Sequence, residues 1–351
     1  MKKPSSIGVY IPTIEGRPGL RRTLHSISQQ RLIAGDEVLV LGDGPCPTAE
    51  TLVSEFGQPF HYVTVQQSKT WGHAQANEAL HGGHFKADLL VAQDDDDIFL
   101  PRAFEVIREA AQALPNKLLS FHTFSKVYDA LTHKDGIGIT PLNGYWDGHS
   151  IVVPNDPPRL GWWGHEYSGD QSYIFSTFTK WGADRSHVHP AVLTMIRPEQ
   201  RWRLWYWEVR TPEQVEALRH LRNSCREFMT HDTAEISPKQ QTKWWRKVHN
   251  AKGIKAFLFT SGFDTDYLGF ALLRRKGKRF LTTYGLRPDD RGKGYGKELM
   301  ELGLLACQGP ALCDMREDNT VVRAISKKLG WIEDDTRGSL VYAHHPWIVE
   351  A

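Results

Sequence analysis

Four consecutive aspartates, Asp94, Asp95, Asp96 and Asp97, follow the apolar run ADLLVAQ at residues 87–93. Like charges this close repel one another, so the cluster is costly unless a cation sits in it. Hard divalent cations such as Mg²⁺ and Mn²⁺ favour carboxylate oxygens and often bind through a few of them together with substrate phosphates. The plain alternative is a solvated acidic turn. Leu-Leu-Val before the run and Ile98-Phe99-Leu100-Pro101 after it place the carboxylates at the end of a buried strand instead. Ligands of open α/β sheets gather at that edge. A metal that holds a diphosphate is the expectation.

The chain around this run alternates strand and helix. Strands are predicted over residues 7–11, 37–41, 61–65 and 87–93. Helices are predicted over 18–30, 48–56, 74–81 and 101–113, the first with Leu20, Leu24 and Ile27 on one face. This rhythm predicts an α/β fold with a mostly parallel, doubly wound sheet.

The order of signals resembles the GT-A nucleotide-diphosphosugar glycosyltransferases of the family-2 type. Ile11-Pro12-Thr13 ends the first strand, Val40-Leu41-Gly42-Asp43-Gly44 ends the second, and Gly72 with Asn77 opens the helix before the acidic strand. The four aspartates stand where that family has Asp-x-Asp-Asp. The resemblance covers about the first 195 residues. It implies that Pro12, Thr13, Glu15, Asp43, Gly72, Asn77, Asp94 and Asp95 bind a UDP-, GDP- or TDP-linked sugar. It also implies that Asp94 and Asp96 hold Mn²⁺ or Mg²⁺, which neutralises the departing diphosphate. Gly-Asp-Gly around Asp43 is also ordinary turn chemistry.

The base for the acceptor hydroxyl is expected in the segment GWWGHEYSGDQ at residues 161–171. Its Trp-Gly-x-Glu core resembles the acceptor-side loop of several GT-A enzymes. A carboxylate beside Trp162, Trp163 and Tyr167 would be partly desolvated, which raises its pKa toward a value useful for proton abstraction. Asp170 and Glu166 compete, with Asp170 favoured. The same carboxylates could instead cap a helix. His187 and His189 point to one face of a strand and could reach a metal, or they are surface histidines.

At 351 residues two domains are expected, 1–200 and 201–351. Charge divides similarly: residues 1–195 hold 16 Lys+Arg against 21 Asp+Glu, and residues 196–351 hold 27 against 20, which sums to the net +2 of the chain. The basic half suits a phosphate-rich ligand or a nucleic acid, although it has no Lys/Arg block. Cys46, Cys225, Cys307 and Cys313 are scattered without metal spacing, which fits a reducing compartment. The start reads as a first strand rather than a signal peptide, and no apolar stretch approaches a bilayer span. A cytoplasmic protein is expected, or a host-cytoplasmic one if the chain is viral.

In the second half Thr211-Pro212-Glu213 opens a helix with a capping Thr and Pro at its first position. Further on, the strand RFLTTYGL at 279–286 runs into RPDDRGKGYGKEL at 287–299. Its glycines allow backbone N–H groups to converge, and a helix N-terminus directly behind adds partial positive charge. Arg291-x-x-Gly294-x-Gly296 after a strand resembles the pyrophosphate loop of GCN5-related (GNAT) N-acetyltransferases. MREDN at 315–319 ahead of Leu329-Gly330-Trp331 is similar to that family's second cofactor motif, and the segments at 218–223 and Trp244-Trp245 to its acceptor-side helices. The resemblance covers roughly 204–345. It implies that Leu286, Arg291, Gly292, Lys293, Gly294, Tyr295, Gly296 and Asn319 bind acetyl-CoA, with a backbone amide near Leu286 polarising the thioester carbonyl. The family often carries a tyrosine acid seven residues after the asparagine, and here that position is Ser326. Tyr284 is the candidate substitute; Glu208, His231 and Asp232 are candidate bases.

Three functions follow as expectations. One is a bifunctional transferase that moves a sugar to a hydroxyl and an acetyl group to an amine, on a glycan, amino sugar or protein. Another keeps one active domain beside a recognition module. The third is a phage-type DNA-base glycosyltransferase that stacks bases on Trp202, Trp205, Trp207, Trp244 and Trp245. Core packing is the plain reading of those rings.

Overall fold

The computed structural model describes residues 3–68, 70–124, 151–166, 168–231, 233–249, 251 and 253–346. The expected Tyr167 and Asp232 lie outside the described residues. The protein is α/β, as predicted, and divides into two compact units at residues 200 and 201.

The first unit runs β1 (Ile7–Thr13), α1 (Leu20–Ser28), β2 (Glu37–Asp43), α2 (Pro47–Phe56), β3 (Phe60–Val65), α3 (His73–His81) and β4 (Leu89–Ala92). It continues with β5 (Ile98–Phe99), α4 (Ala103–Ala113), β6 (Leu118–Phe124), β7 (Ile151–Pro154), α5 (Gly169–Trp181) and β8 (Ser186–Met195). The sheet order is β3-β2-β1-β4-β7-β6-β8-β5. Strands β3, β2, β1 and β4 run parallel, and β7 returns antiparallel to β4. Alternation along β1 sends Val9 and Ile11 to one face and Tyr10 to the other. Leu20, Leu24 and Ile27 of α1, Val53 of α2, and Phe104 and Ile107 of α4 cover the first face. Ala76, Ala79 and Leu80 of α3, and Tyr173, Ile174 and Trp181 of α5, cover the second. The sheet is therefore clad on both sides, and its strand ends are left as the open edge. Strand β8 carries the strand expected at His187 and His189, and α5 the helix offered beside Asp170, whereas β5 to β7 have no counterpart in the sequence analysis. Their short, mixed-polarity runs carry little periodicity.

The second unit runs β9 (Trp205–Glu208), α6 (Pro212–Ser224), α7 (Pro238–Val248), β10 (Ile254–Thr260), β11 (Gly269–Lys276) and β12 (Arg279–Leu286). Then come α8 (Tyr295–Cys307), β13 (Ala311–Arg316), α9 (Thr320–Lys328), β14 (Ile332–Arg337) and β15 (Leu340–His345). Thr211 caps α6 through a reciprocal bond pattern with Gln214, as the sequence predicts. The sheet order is β14-β15-β13-β12-β11-β10-β9. All neighbours are antiparallel except β12 and β13, which are parallel and pair only from Phe280 to Thr282 against Ala311 to Cys313. Beyond that point the two strands have no register, and the sheet opens between them.

Candidate functional site

In the first unit a cavity of about 1090 Å³ opens at the C-terminal ends of β1, β2 and β4. All four aspartates line it. The turn sorts them by environment. Asp94 is exposed, Asp96 is half-buried, and Asp95 and Asp97 are buried. Carboxylate oxygens of Asp94, Asp96 and Asp97 lie within 4.8 Å of one another. That spacing and all-oxygen donor set fit a hard divalent cation. Asp97 also accepts the Arg197 backbone N–H at 2.9 Å, and its own carbonyl takes the Thr23 hydroxyl at 2.7 Å. Asp95 turns inward, accepts the Thr13 hydroxyl at 2.7 Å, and is pushed up to about 6 by burial.

Positive charge surrounds the run. Arg17 Nε stands 3.4 Å from Asp95 and Arg197 Nε 3.5 Å from Asp96, both arginines half-exposed on the cavity wall. Helix α1 begins against the same turn: a Cβ at Gly19 would lie 2.6 Å from the Asp96 Cα. Its N-terminal partial charge moderates the repulsion among the carboxylates. The sequence reading missed both arginines, because each reaches the site from a loop with no local motif.

The residues assigned to the nucleotide separate. Pro12, Thr13, Glu15, Asp43 and Gly72 line the cavity. Asp43 accepts the Ser68 backbone N–H at 2.6 Å and a bond from Gln75. Glu15 receives the Thr48 hydroxyl. Gly72 is required twice over: its φ is 87°, and a Cβ there would lie 2.7 Å from Pro12 Cβ. Asn77 is corrected. It lies off the cavity wall, and its amide makes both bonds to the Trp163 backbone, at 3.0 and 2.9 Å. It fixes the loop that carries Trp163. Trp71 and Arg197 both line the cavity at positive φ, 53° and 46°. Such backbone costs of order 1–3 kcal/mol and gathers at ligand sites.

On the acceptor side, Asp170 sits in the first turn of α5 and faces the cavity, where its Oδ1 accepts the Gln171 N–H at 2.8 Å. Glu166 does not behave as expected. It is exposed and off the cavity wall, and the Ser172 hydroxyl, donating at 2.6 Å, holds its carboxyl below the usual range. The buried aromatic is Trp163, stacked on Tyr173 at 4.7 Å and on His73 at 5.5 Å, whereas Trp162 points outward.

The two histidines are also corrected. His187 and His189 begin β8, whose other end, Met195, pairs with Ile98 beside the aspartates. Six residues of strand from His189 to Met195 span about 20 Å, too far for a shared ion. His189 packs instead on Phe121 at 5.1 Å.

In the second unit the glycine turn leads into α8, with Gly292 and Gly294 at φ 76° and 86°. Its charged residues are braced. Lys293 reaches Asp290 at 2.9 Å, and the Arg291 guanidinium lies 4.1 Å from the Phe228 ring centre while its Nε donates to the Leu286 carbonyl at 3.2 Å. Arg203 covers Tyr295 at 4.4 Å and donates to the Lys293 carbonyl at 3.2 Å, a clasp with no signal in the sequence. The Leu286 carbonyl also takes the Cys225 thiol at 3.3 Å, which holds that peptide still where β12 and β13 part. Asn319 caps α9 by accepting the Val322 N–H at 3.2 Å.

Neither Ser326, at the family's tyrosine position, nor the substitute Tyr284 reaches into an open site. Ser326 is buried and bonds the Met315 sulfur at 3.2 Å. Tyr284 is corrected: it is packed under α8, where a Cβ at Gly303 would lie 2.4 Å from its ring, and burial pushes its phenol up. Among the candidate bases, Glu208 is tied to Lys255 at 3.1 Å, while His231 Nε2 stands 3.1 Å from Asp314, on the part of β13 that has left β12. The tryptophans serve packing. Trp202 is buried and donates to Glu301, Trp205 and Trp207 lean on Phe263, and Trp244 and Trp245 pack on the helix–sheet core. All four cysteines are buried and none is paired in a disulfide. No helix among the described residues is long and apolar enough to cross a membrane.

No protein-family model matches the chain, and no curated protein matches it. Among solved structures, a spermidine N-acetyltransferase from Vibrio cholerae in complex with CoA and spermine is 12% identical over 40% of this chain and 94% of its own, with a TM-score of 0.36. S. aureus TarS is 13% identical over 70% of this chain and 44% of its own, with a TM-score of 0.45. At such identities and scores the likeness says nothing of what this chain binds or does.

Proposed function

We propose that the chain is a bifunctional transferase, with a glycosyltransferase domain over 1–200 and an acyltransferase domain over 201–351. The observation that carries the first half is the triad of Asp94, Asp96 and Asp97, backed by Arg17 and Arg197, on the wall of one cavity. These carboxylates would hold Mn²⁺ or Mg²⁺, which when bound neutralises a diphosphate. Thr13, Asp43 and Gly72 shape the nucleoside end. Arg17 and Arg197 exchange their carboxylate partners for phosphate oxygens as charge builds on the leaving group. Asp170 takes the proton of the acceptor hydroxyl. The new bond forms from that oxygen to the anomeric carbon, and the bond to the diphosphate oxygen breaks.

The second half rests on the opening between β12 and β13 beside the glycine turn. Backbone N–H groups at the start of α8 would hold the coenzyme A pyrophosphate, and the parting of β12 from β13 would leave room for its thioester arm. The amine nitrogen attacks the carbonyl carbon and the carbon–sulfur bond breaks. With Tyr284 and Ser326 turned into the core, the thiolate takes its proton from water. His231, oriented by Asp314, accepts the proton from the amine. Both halves act on one product, such as an amino sugar that is acetylated before or after attachment.

The test is donor breakdown. Incubation with UDP-, GDP- and TDP-sugars is expected to release one nucleoside diphosphate only when Mn²⁺ or Mg²⁺ is added, and incubation with acetyl-CoA and a panel of amines to release free thiol. Absence of both products refutes the proposal.

A further inference from the structure

The residue just before the acidic triad does something its neighbours do not. Gln93 is fully buried, lines the cavity, and neither its amide nitrogen nor its amide oxygen has a hydrogen-bond partner among the described residues. Buried polar groups are otherwise almost always satisfied, and an amide left bare in a core is replaced at no loss by an apolar side chain. Its backbone N–H is accounted for, donating to the Tyr10 carbonyl at 3.0 Å, so the strand needs no polar side chain there. The Tyr10 hydroxyl and the Trp163 indole N–H line the same cavity, buried beside one another. None of these three side chains is charged near neutral pH.

A primary amide offers a donor and an acceptor side by side. A hydroxyl does the same, so adjacent hydroxyls can satisfy both ends of Gln93 at once. A carboxylate cannot: it only accepts, and it would face the amide oxygen beside Asp94, Asp96 and Asp97. Resting on the glycosyl-transfer reading above, we infer that Gln93 selects the transferred group, receiving the hydroxyls of an uncharged sugar at the metal end of the cavity and rejecting a uronate. It acts on specificity and takes no part in holding the diphosphate.

The experiment compares the wild-type chain with Gln93→Leu by calorimetric titration in Mn²⁺. The probes are UDP, GDP and TDP, their glucose conjugates, and UDP-glucuronate. Leucine fills similar space without polar atoms, so a melting temperature at or above wild type is expected. The affinity for the free nucleoside diphosphate should agree within twofold between the two proteins. The extra affinity given by the sugar should fall at least tenfold in Gln93→Leu, and in the wild type a hexuronate should bind at least tenfold more weakly than the neutral hexose. A sugar increment that survives Gln93→Leu, or a hexuronate bound as tightly as the hexose, overturns the inference while leaving glycosyl transfer standing. Failure of every nucleotide to bind with Mn²⁺ overturns both.

Discussion

The two units place their candidate phosphate sites on opposite kinds of chemistry. The first assembles carboxylates that are of no use to a phosphate until a cation joins them, and it adds Arg17 and Arg197 from distant loops. The second, as proposed, would use backbone amides at the start of α8, where the cations Arg291 and Lys293 are engaged by Phe228 and Asp290. The first is therefore expected to depend on metal, on pH through its carboxylates and on ionic strength. The second depends on backbone shape, which a side-chain change reaches only through φ or bulk. A side-chain site is broken by removing an atom; a backbone site is broken by adding one.

The largest effect that would sharpen this contrast is at the acceptor base. Asp170→Asn should lower sugar transfer about a thousandfold with little change in donor affinity. An equal loss in donor binding would make Asp170 a structural residue. Next comes a crossed pair. Asp96→Ala should weaken Mn²⁺-dependent nucleotide binding a hundredfold or so and leave acetyl-CoA binding untouched. Gly294→Asp should do the reverse, weakening acetyl-CoA binding by roughly tenfold to a hundredfold through strain at φ 86° and an unwelcome charge. Calorimetry on both variants checks the pair, and any crossover contradicts two independent sites.

A stability effect of similar size belongs to the first unit. Burial, helped by His189, lowers His122 from 6.5 to about 4. The unfolded chain therefore binds a proton between those values that the folded chain refuses, so stability is lost as pH falls through that window. At about 1.4 kcal/mol per pH unit the loss reaches about 3 kcal/mol, and His122→Leu should abolish it in denaturant titrations at pH 7 and pH 4.5. The smallest effect concerns Glu166, which is exposed and off the cavity. Glu166→Gln should change turnover less than twofold. A large loss would restore it as the base.

The contrast also explains what could be read from the chain. The glycine turn is contiguous, from Arg287 to Gly296, and its φ values follow from residue type. The strand-end carboxylates are contiguous too. What escaped is what tertiary structure brings in. Arg17 and Arg197 stand in loops, Arg203 clasps a turn ninety residues away, and the parting of β12 from β13 is a property of register that no side chain announces. The errors have the same origin. Asn77 and Tyr284 sit at plausible sequence positions, yet one is taken by the Trp163 backbone and the other by the underside of α8. His187 and His189 share a face, as alternation predicts, at the wrong end of their strand.

The claim that most needs testing is that the aspartate triad works only with a cation. Titrating nucleoside diphosphates into the metal-free protein and then into the protein with Mn²⁺ measures it directly. Binding that appears, or tightens at least tenfold, when Mn²⁺ is added is the predicted result. Equal affinity in its presence and absence contradicts the account.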